Sequence, residues 1–412
     1  MNTRGSIDKY IEAASRCVRC GACTAVCPTY MSERSETFTP RGRLALIKAV
    51  IDGRLPVTRV FWDRISSCVE CLACEAVCPA GVQVSDILQA AKEEFAVSQT
   101  LIERTVAGIF QRKAVLASLG WLAPRLLGYT AGPLQDLAEV EGPIAAGFAA
   151  AHPTPGIIVR PRGRLVFFPG CALTHFQREI ARSSASVLAR LGYDVIIPEG
   201  LVCCGKPLLS LGQRVAAEAL ASKNAAVISA MDPDAVVTAC ASCGLTFKKE
   251  YHKLLRRVGM PAVMDIHEVI AGDFSSGVLP MRLKVTVHYP CHLARGQGLN
   301  RKVRDILMSV PELEVIEMQE PDMCCGFGGA MRLTHRRLSS SIGRRKAEDI
   351  ISTGASLAVT GCPGCCMQIR DSLRRLGSGI GVVHTVQIVE RTLIGRPGTA
   401  GGTNQLFRKD DT

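Results

Sequence analysis

Residues 17–28 read Cys17-Val18-Arg19-Cys20-Gly21-Ala22-Cys23-Thr24-Ala25-Val26-Cys27-Pro28. Three cysteines recur at every third residue, a fourth follows, and a proline closes the run. This is the C-x2-C-x2-C-x3-C-P spacing of paired 4Fe–4S sites. A tight loop converges the first three thiolates on one iron–sulfur cube, while the fourth, displaced and turned by the proline, reaches a second cube. That geometry demands a second copy, and the chain supplies it as Cys68-Val69-Glu70-Cys71-Leu72-Ala73-Cys74-Glu75-Ala76-Val77-Cys78-Pro79. Crossed ligation then gives one cluster to Cys17, Cys20, Cys23 and Cys78, and the other to Cys68, Cys71, Cys74 and Cys27. Structural zinc is the competing reading of CxxC pairs. Zinc takes two such pairs per ion and needs neither the third step nor the proline.

The rest of the composition fits a reduced, metal-binding protein of several domains. A chain of 412 residues exceeds one compact core, and 47% hydrophobic residues supply ample interior. Nineteen cysteines grouped as CxxC and CC point to metal rather than to disulfides, hence to a reducing compartment, the cytoplasm. The start, Met1 to Tyr10, has no apolar stretch, so no signal peptide is expected, and no run of 18 apolar residues occurs to span a membrane. The net charge of +12 comes without basic tails or aromatic-interleaved basic strips, which argues against nucleic acid. The pairs Arg256-Arg257, Arg336-Arg337 and Arg344-Arg345 read as solvated helix faces, with docking to an acidic partner or to the inner face of an anionic membrane as the secondary reading.

In chain order, residues 6–16 have the spacing of a short helix. Thr37 to Val50 reads as a Pro-initiated helix whose arginines either point towards a cluster or partner or merely solubilise. A helix near 58–67 leads to the second loop, and Val82 to Val97 reads as an amphipathic helix packing back on it. Apolar residues at helical intervals from Leu101 to Leu127, punctuated by Arg104, Arg112, Lys113 and Arg125, form a stripe that is buried in its own domain or lies peripherally on a membrane. Ala131 to Pro161 reads as a linker.

From residue 164 the chain repeats itself. The strand ending at Cys171 is matched by the one ending at Cys291, Cys203-Cys204-Gly205 by Cys324-Cys325-Gly326, and Cys240-Ala241-Ser242-Cys243 by Cys362-Pro363-Gly364-Cys365. The offsets are 120 (171 to 291), 121 (203 to 324) and 122 (240 to 362), a register that implies two equivalent lobes. Strand candidates Val166–Phe168, Val195–Ile197 and Val236–Thr238 alternate with helices Ile180–Leu191 and Arg214–Met231, giving a small parallel sheet with each cysteine group after a strand's carboxyl end. The fold class is therefore α+β with α/β lobes: an all-helical two-cluster module at 1–97, a helical segment and linker at 98–163, lobes at 164–280 and 281–395, and a tail at 396–412.

Each lobe's five cysteines, Cys171, Cys203, Cys204, Cys240 and Cys243, then Cys291, Cys324, Cys325, Cys362 and Cys365, suit a larger inorganic core better than one tetrahedral ion. Zinc in one lobe, or reduced thiols without metal, are the alternatives. Cys366 has no counterpart, Gly244 standing in its place, and is read as packing. Gly326, Gly328 and Gly329 suggest a backbone that a partner or small molecule can approach. His175, His288 and His292 lie near cysteines, either as ordinary structural histidines or as donors to cluster sulfur. No Gly-rich dinucleotide motif follows a strand, so flavin, if used, belongs to another polypeptide, and no catalytic residue is assigned to this one.

This layout resembles the iron–sulfur subunit of glycolate oxidase and D-lactate dehydrogenase complexes, and is similar to the iron–sulfur subunit of anaerobic glycerol-3-phosphate dehydrogenase and the catalytic subunit of heterodisulfide reductase. Thr39-Pro40-Arg41-Gly42-Arg43 with Leu46-Ile47-Lys48, Cys324 to Gly329, and Pro363 to Ile369 look like the glycolate oxidase branch. The resemblance implies an oxidoreductase subunit with two N-terminal 4Fe–4S clusters and one or two further clusters in the lobes, noncubane as in heterodisulfide reductase. It further implies a flavin-containing partner oxidising glycolate or D-lactate, and a quinone, cytochrome or other carrier as acceptor. Keeping all five cysteines in both lobes departs from many glycolate oxidase relatives. The alternative it leaves is a heterodisulfide-reductase-like catalyst, and a weaker one is a zinc-stabilised scaffold.

Overall fold

The computed structural model describes residues 10–393 except 11, 97–98, 113–114, 117, 119–160, 256–258 and 274–277. The stripe beyond 118, the linker up to 160, the Arg256-Arg257 pair and the tail lie outside the described residues.

Short helices build the N-terminal module around the two cysteine loops. Thr39 caps helix Pro40–Ile51, its Oγ1 accepting from Gly42 N at 2.9 Å, and Pro40 stands where its missing N–H costs nothing. Helices Arg59–Ser66 and Val84–Glu94 pack against it on a core of Leu44, Ile47, Trp62, Ile65, Ile87 and Leu88. Helix Leu101–Gln111 opens with a capping box at Thr100 and Glu103, and that Glu103 accepts from Trp62 Nε1. Val106 and Ala107 enter the large core while Leu101 and Ile102 stay exposed, so this part of the stripe is half buried.

The lobes are two parallel four-stranded sheets of one topology. In the first, β1 (Arg164–Phe167), β2 (Asp194–Ile196), β3 (Ala235–Thr238) and β4 (Ala262–Asp265) stand in the order β2-β1-β3-β4. In the second, β5 (Leu283–His288), β6 (Leu313–Ile316), β7 (Leu357–Thr360) and β8 (Gly381–His384) stand in the order β6-β5-β7-β8. The central strands β3 and β7 are buried along their whole length, as a parallel sheet covered on both faces requires.

The lobes meet reciprocally. Helix Arg178–Arg190 of the first packs on Thr385–Thr392 of the second, and Ile266–Asp273 of the first packs on Asn300–Met308 of the second. One continuous core runs through both sheets. A smaller cluster with Phe38, Val69, Cys71, Cys324 and Ile342 ties the N-terminal module to the second lobe. Among the described residues no helix is long and apolar enough to cross a membrane.

The module also docks on the first lobe at Gly212. Its φ is +72°, and a β-carbon there would lie 2.2 Å from Lys92 O at the end of helix Val84–Glu94. Gly212→Ala is therefore expected to cost about 1–3 kcal/mol through backbone displacement at this seam, seen as a lower urea midpoint. An unchanged midpoint would mean that the seam yields freely.

Candidate metal centres

Both N-terminal loops turn by the same device. Arg19 and Gly21 in the first, and Glu70 and Leu72 in the second, take positive φ of 57°, 86°, 52° and 63°. These left-handed steps let each loop turn tightly between its cysteines. Leucine at 72 bears a strain that glycine at 21 avoids, of about 1 kcal/mol.

Cys27 of the first loop lines one cavity with Cys68, Cys71 and Cys74 of the second, the set that the spacing groups together. Arg43 closes this cavity from the side. It is 1% exposed and donates to Arg64 O (2.7 Å), Thr29 Oγ1 (3.1 Å) and Ser67 Oγ (3.1 Å), so it is a buried structural cation beside the thiols. Arg41 instead pairs with Glu36 and donates to Arg19 O at 3.2 Å, bracing the first loop. Cys17 and Cys78 both pack on the module's own core, and Cys20 is exposed. Burial pushes Cys68 up against the pull of Arg43 and Lys92, and burial with the neighbouring thiols pushes Cys74 far up. Thiols packed this closely cannot ionise together without a cation, and that donor set fits an iron–sulfur cluster.

The second loop is gripped by both lobes. Glu70 is 7% exposed and accepts from Lys92 Nζ and, across the seam, from Lys206 Nζ, each at 2.7 Å. Burial opposes its ionisation, yet Lys206 and Lys92 hold the carboxyl well below its ordinary range. Lys206 directly follows Cys204-Gly205 of the first lobe. From the second lobe, His292 bridges Ser242 Oγ and Glu70 O, both at 2.9 Å, and Arg295 donates to Cys71 O at 2.9 Å. His292 is thus a fully engaged structural residue. The glycines of the CCGFGG stretch are also approached from within the chain, by Val69 at Gly328, Ser210 at Gly329 and Ser339 O at Gly326. The expected opening for a partner at this backbone is filled by the chain's own residues.

In the first lobe Cys171 and Cys203 stand 3.6 Å apart, sulfur to sulfur, beside a small cavity that His175 and Phe110 share. Cys203 and Cys243 hold Cys204 low, while Cys171 and then Cys204 push Cys203 up, and Cys204 with Cys240 pushes Cys243 up. The second lobe repeats the pattern. Cys325 and Cys365 are 3.4 Å apart, Cys325 is held low by Cys324 and Cys365, and Cys291 with Cys325 pushes Cys324 up. Two interactions leave the lobes. Cys324, packed with Cys71 in one cluster, pulls that thiol down to about 6, and Cys240 and Cys362 act electrostatically on each other across the lobe boundary. Cys366 is wholly buried in helix Pro363–Arg375, its thiol pushed up to about 12 by burial, apart from these contacts.

Comparison with known proteins follows this division. A family described as a 4Fe-4S dicluster domain matches residues 13–82, and one described as a cysteine-rich domain matches residues 165–248 and 285–370. The chain is 30% identical to a subunit of the fumarate reductase (CoM/CoB) of Methanothermobacter marburgensis over 91% of this chain and 71% of that protein. It is 28% identical to the probable glycolate oxidase iron-sulfur subunit of Bacillus subtilis, and 26% identical to a subunit of the dihydromethanophenazine:CoB–CoM heterodisulfide reductase of Methanosarcina barkeri, each over 92% of this chain and 93% of the relative.

Proposed function

The chain belongs to the family of iron–sulfur oxidoreductase subunits that join a 4Fe–4S dicluster domain to two cysteine-rich domains, and from that premise we propose that it relays electrons in a complex oxidising a 2-hydroxy acid, glycolate or D-lactate. In this reading a partner flavoprotein oxidises the substrate, and a quinone, cytochrome or other carrier at the inner face of the cytoplasmic membrane receives the electrons. Bound clusters supply one-electron redox chemistry, so the pair that a flavin collects leaves one electron at a time.

The observation that carries the reading is a line of cysteines through the chain. Cys20 stands exposed at one end, and Cys27 ties the first loop to the cavity of the second. Cys71 packs in one buried cluster with Cys324, and Cys240 and Cys362 share the core at the boundary between lobes, near enough to shift each other's ionisation. We assign the eight N-terminal cysteines to two 4Fe–4S clusters in the crossed pattern, and the five of each lobe to a further centre. Arg43, Lys92 and Lys206 set positive charge beside thiolates that carry net negative charge when metallated.

Cys325→Ala in the assembled complex tests this. Flavin reduction by the hydroxy acid should survive, and delivery to the terminal acceptor should collapse. Delivery at the wild-type rate in a folded variant that has lost this lobe's metal would take the lobe off the electron path. A second reading, disulfide reduction at the lobes, draws on the complete five-cysteine sets and the Cys240–Cys362 pair at their boundary. Disulfide-dependent oxidation of a reduced viologen by the isolated chain would favour it over the relay.

A further inference from the structure

The two lobes carry their cysteines in register but differ at the last residue before the loop that bears the first of them. With Cys171 matched to Cys291 at an offset of 120, Phe168 of the first lobe corresponds to His288 of the second. Phe168 is wholly buried and packs edge-on against Phe247, 4.8 Å between ring centroids, an apolar use of the position. His288 ends β5, is also wholly buried, and finds no oxygen or nitrogen partner for either ring nitrogen. A buried imidazole with both nitrogens unsatisfied is costly unless something engages it.

The neighbours show what engages it. A ring nitrogen of His288 and the sulfurs of Cys325 and Cys365 all lie within 4.8 Å of one another, and the two sulfurs are 3.4 Å apart. Ligands on one tetrahedral metal with bonds of about 2.0–2.3 Å lie roughly 3.3–3.8 Å apart, so the trio needs little movement to close on one ion. No other group of three or more such residues among the described residues meets this spacing.

We propose that His288 is a metal ligand, binding through a ring nitrogen between Cys325 and Cys365, so that the second lobe holds a mixed imidazole–thiolate centre where the first holds thiolates alone. This rests on the reading that the second lobe binds metal. Iron and zinc both accept such a donor set. On iron, a neutral imidazole at this position adds no negative charge, so the reduction potential lies above that of the same centre with a thiolate there.

The test uses whole, anaerobically purified protein grown with natural-abundance or 15N-labelled histidine. Elemental analysis of wild type against Cys325→Ala first tells which metal leaves the lobe. If none leaves, the metal-binding reading itself fails, and this inference with it. If iron leaves, pulsed EPR of the reduced protein should show a directly coupled nitrogen that changes with the isotope. If zinc leaves, the zinc absorption edge should fit a shell of sulfur with one nitrogen. His288→Phe, which copies the first lobe, should abolish the nitrogen signal while the N-terminal cluster signals persist. If that variant does not fold, His288→Cys keeps a ligand and should lose the nitrogen with, for iron, a lowered midpoint potential. Metal in an all-sulfur shell in wild type, or a nitrogen coupling that survives either variant, overturns the proposal.

Discussion

Glu70→Gln is expected to cost about 3–5 kcal/mol and to loosen the N-terminal module from the first lobe, because it strands two buried ammonium groups, Lys92 and Lys206, that share this carboxylate. Glutamine keeps the shape and one acceptor oxygen but not the charge. The loss should therefore exceed that of a neutral hydrogen bond, about 1 kcal/mol. The same pair sets a pH dependence. The folded carboxyl lies well below its ordinary 4.5, so its contribution is fully present above that value. Below it the unfolded chain binds a proton that the folded chain does not, and stability declines as the pH falls towards the folded value. Urea titrations between about pH 7 and 4 should show the wild type weakening at the acid end and Glu70→Gln flatter across it. Equal slopes would remove Glu70 from the seam's electrostatics.

The second large effect is on iron. Cys20→Ser combined with Cys71→Ser should leave anaerobically purified protein about eight irons short, two clusters' worth. Single substitutions then test the crossing. Cys27→Ser and Cys68→Ser should abolish the same EPR signal, since Cys27 lines the second loop's cavity, while Cys17→Ser should abolish the other. If Cys27→Ser instead behaves like Cys17→Ser, each loop serves its own cluster. Iron unchanged in the double variant, or zinc found in these sites, would end the iron–sulfur reading of the module.

Much of this was legible in the sequence because the signals are local. The cysteine spacings, the Pro40 helix start and the strands ending near Cys171 and Cys240 are each written within a dozen residues. The fourth strand of each lobe was not foreseen. Ala262–Asp265 and Gly381–His384 are short edge strands with no cysteine behind them and no alternation to mark them. The grip on the second loop was equally hidden, since His292 reaches Glu70 across 222 residues and no periodicity encodes such a pairing. Arg43 shows the limit within one helix. Beside Arg41 it reads either as a donor facing a cluster or partner or as one more surface charge, and only Thr29 and Ser67, brought in by folding, make it a buried cation at the thiol cavity. The glycines after Cys325 read as a place for a partner or small molecule to approach, but the groups that approach them belong to the same chain.

The continuous core through both sheets makes the paired lobes resemble the interior of a two-fold dimer whose halves have been spliced end to end. In a true homodimer every substitution appears twice, once on each side of the axis, and the two halves stay identical. Splicing lifts that constraint. Phe168 can stand opposite His288 in the repeat, and Gly244 opposite Cys366, without either change being copied across. A symmetric pair of sites has no preferred direction. One polypeptide that writes each half separately can set the two apart, and so give traffic between them a downhill side.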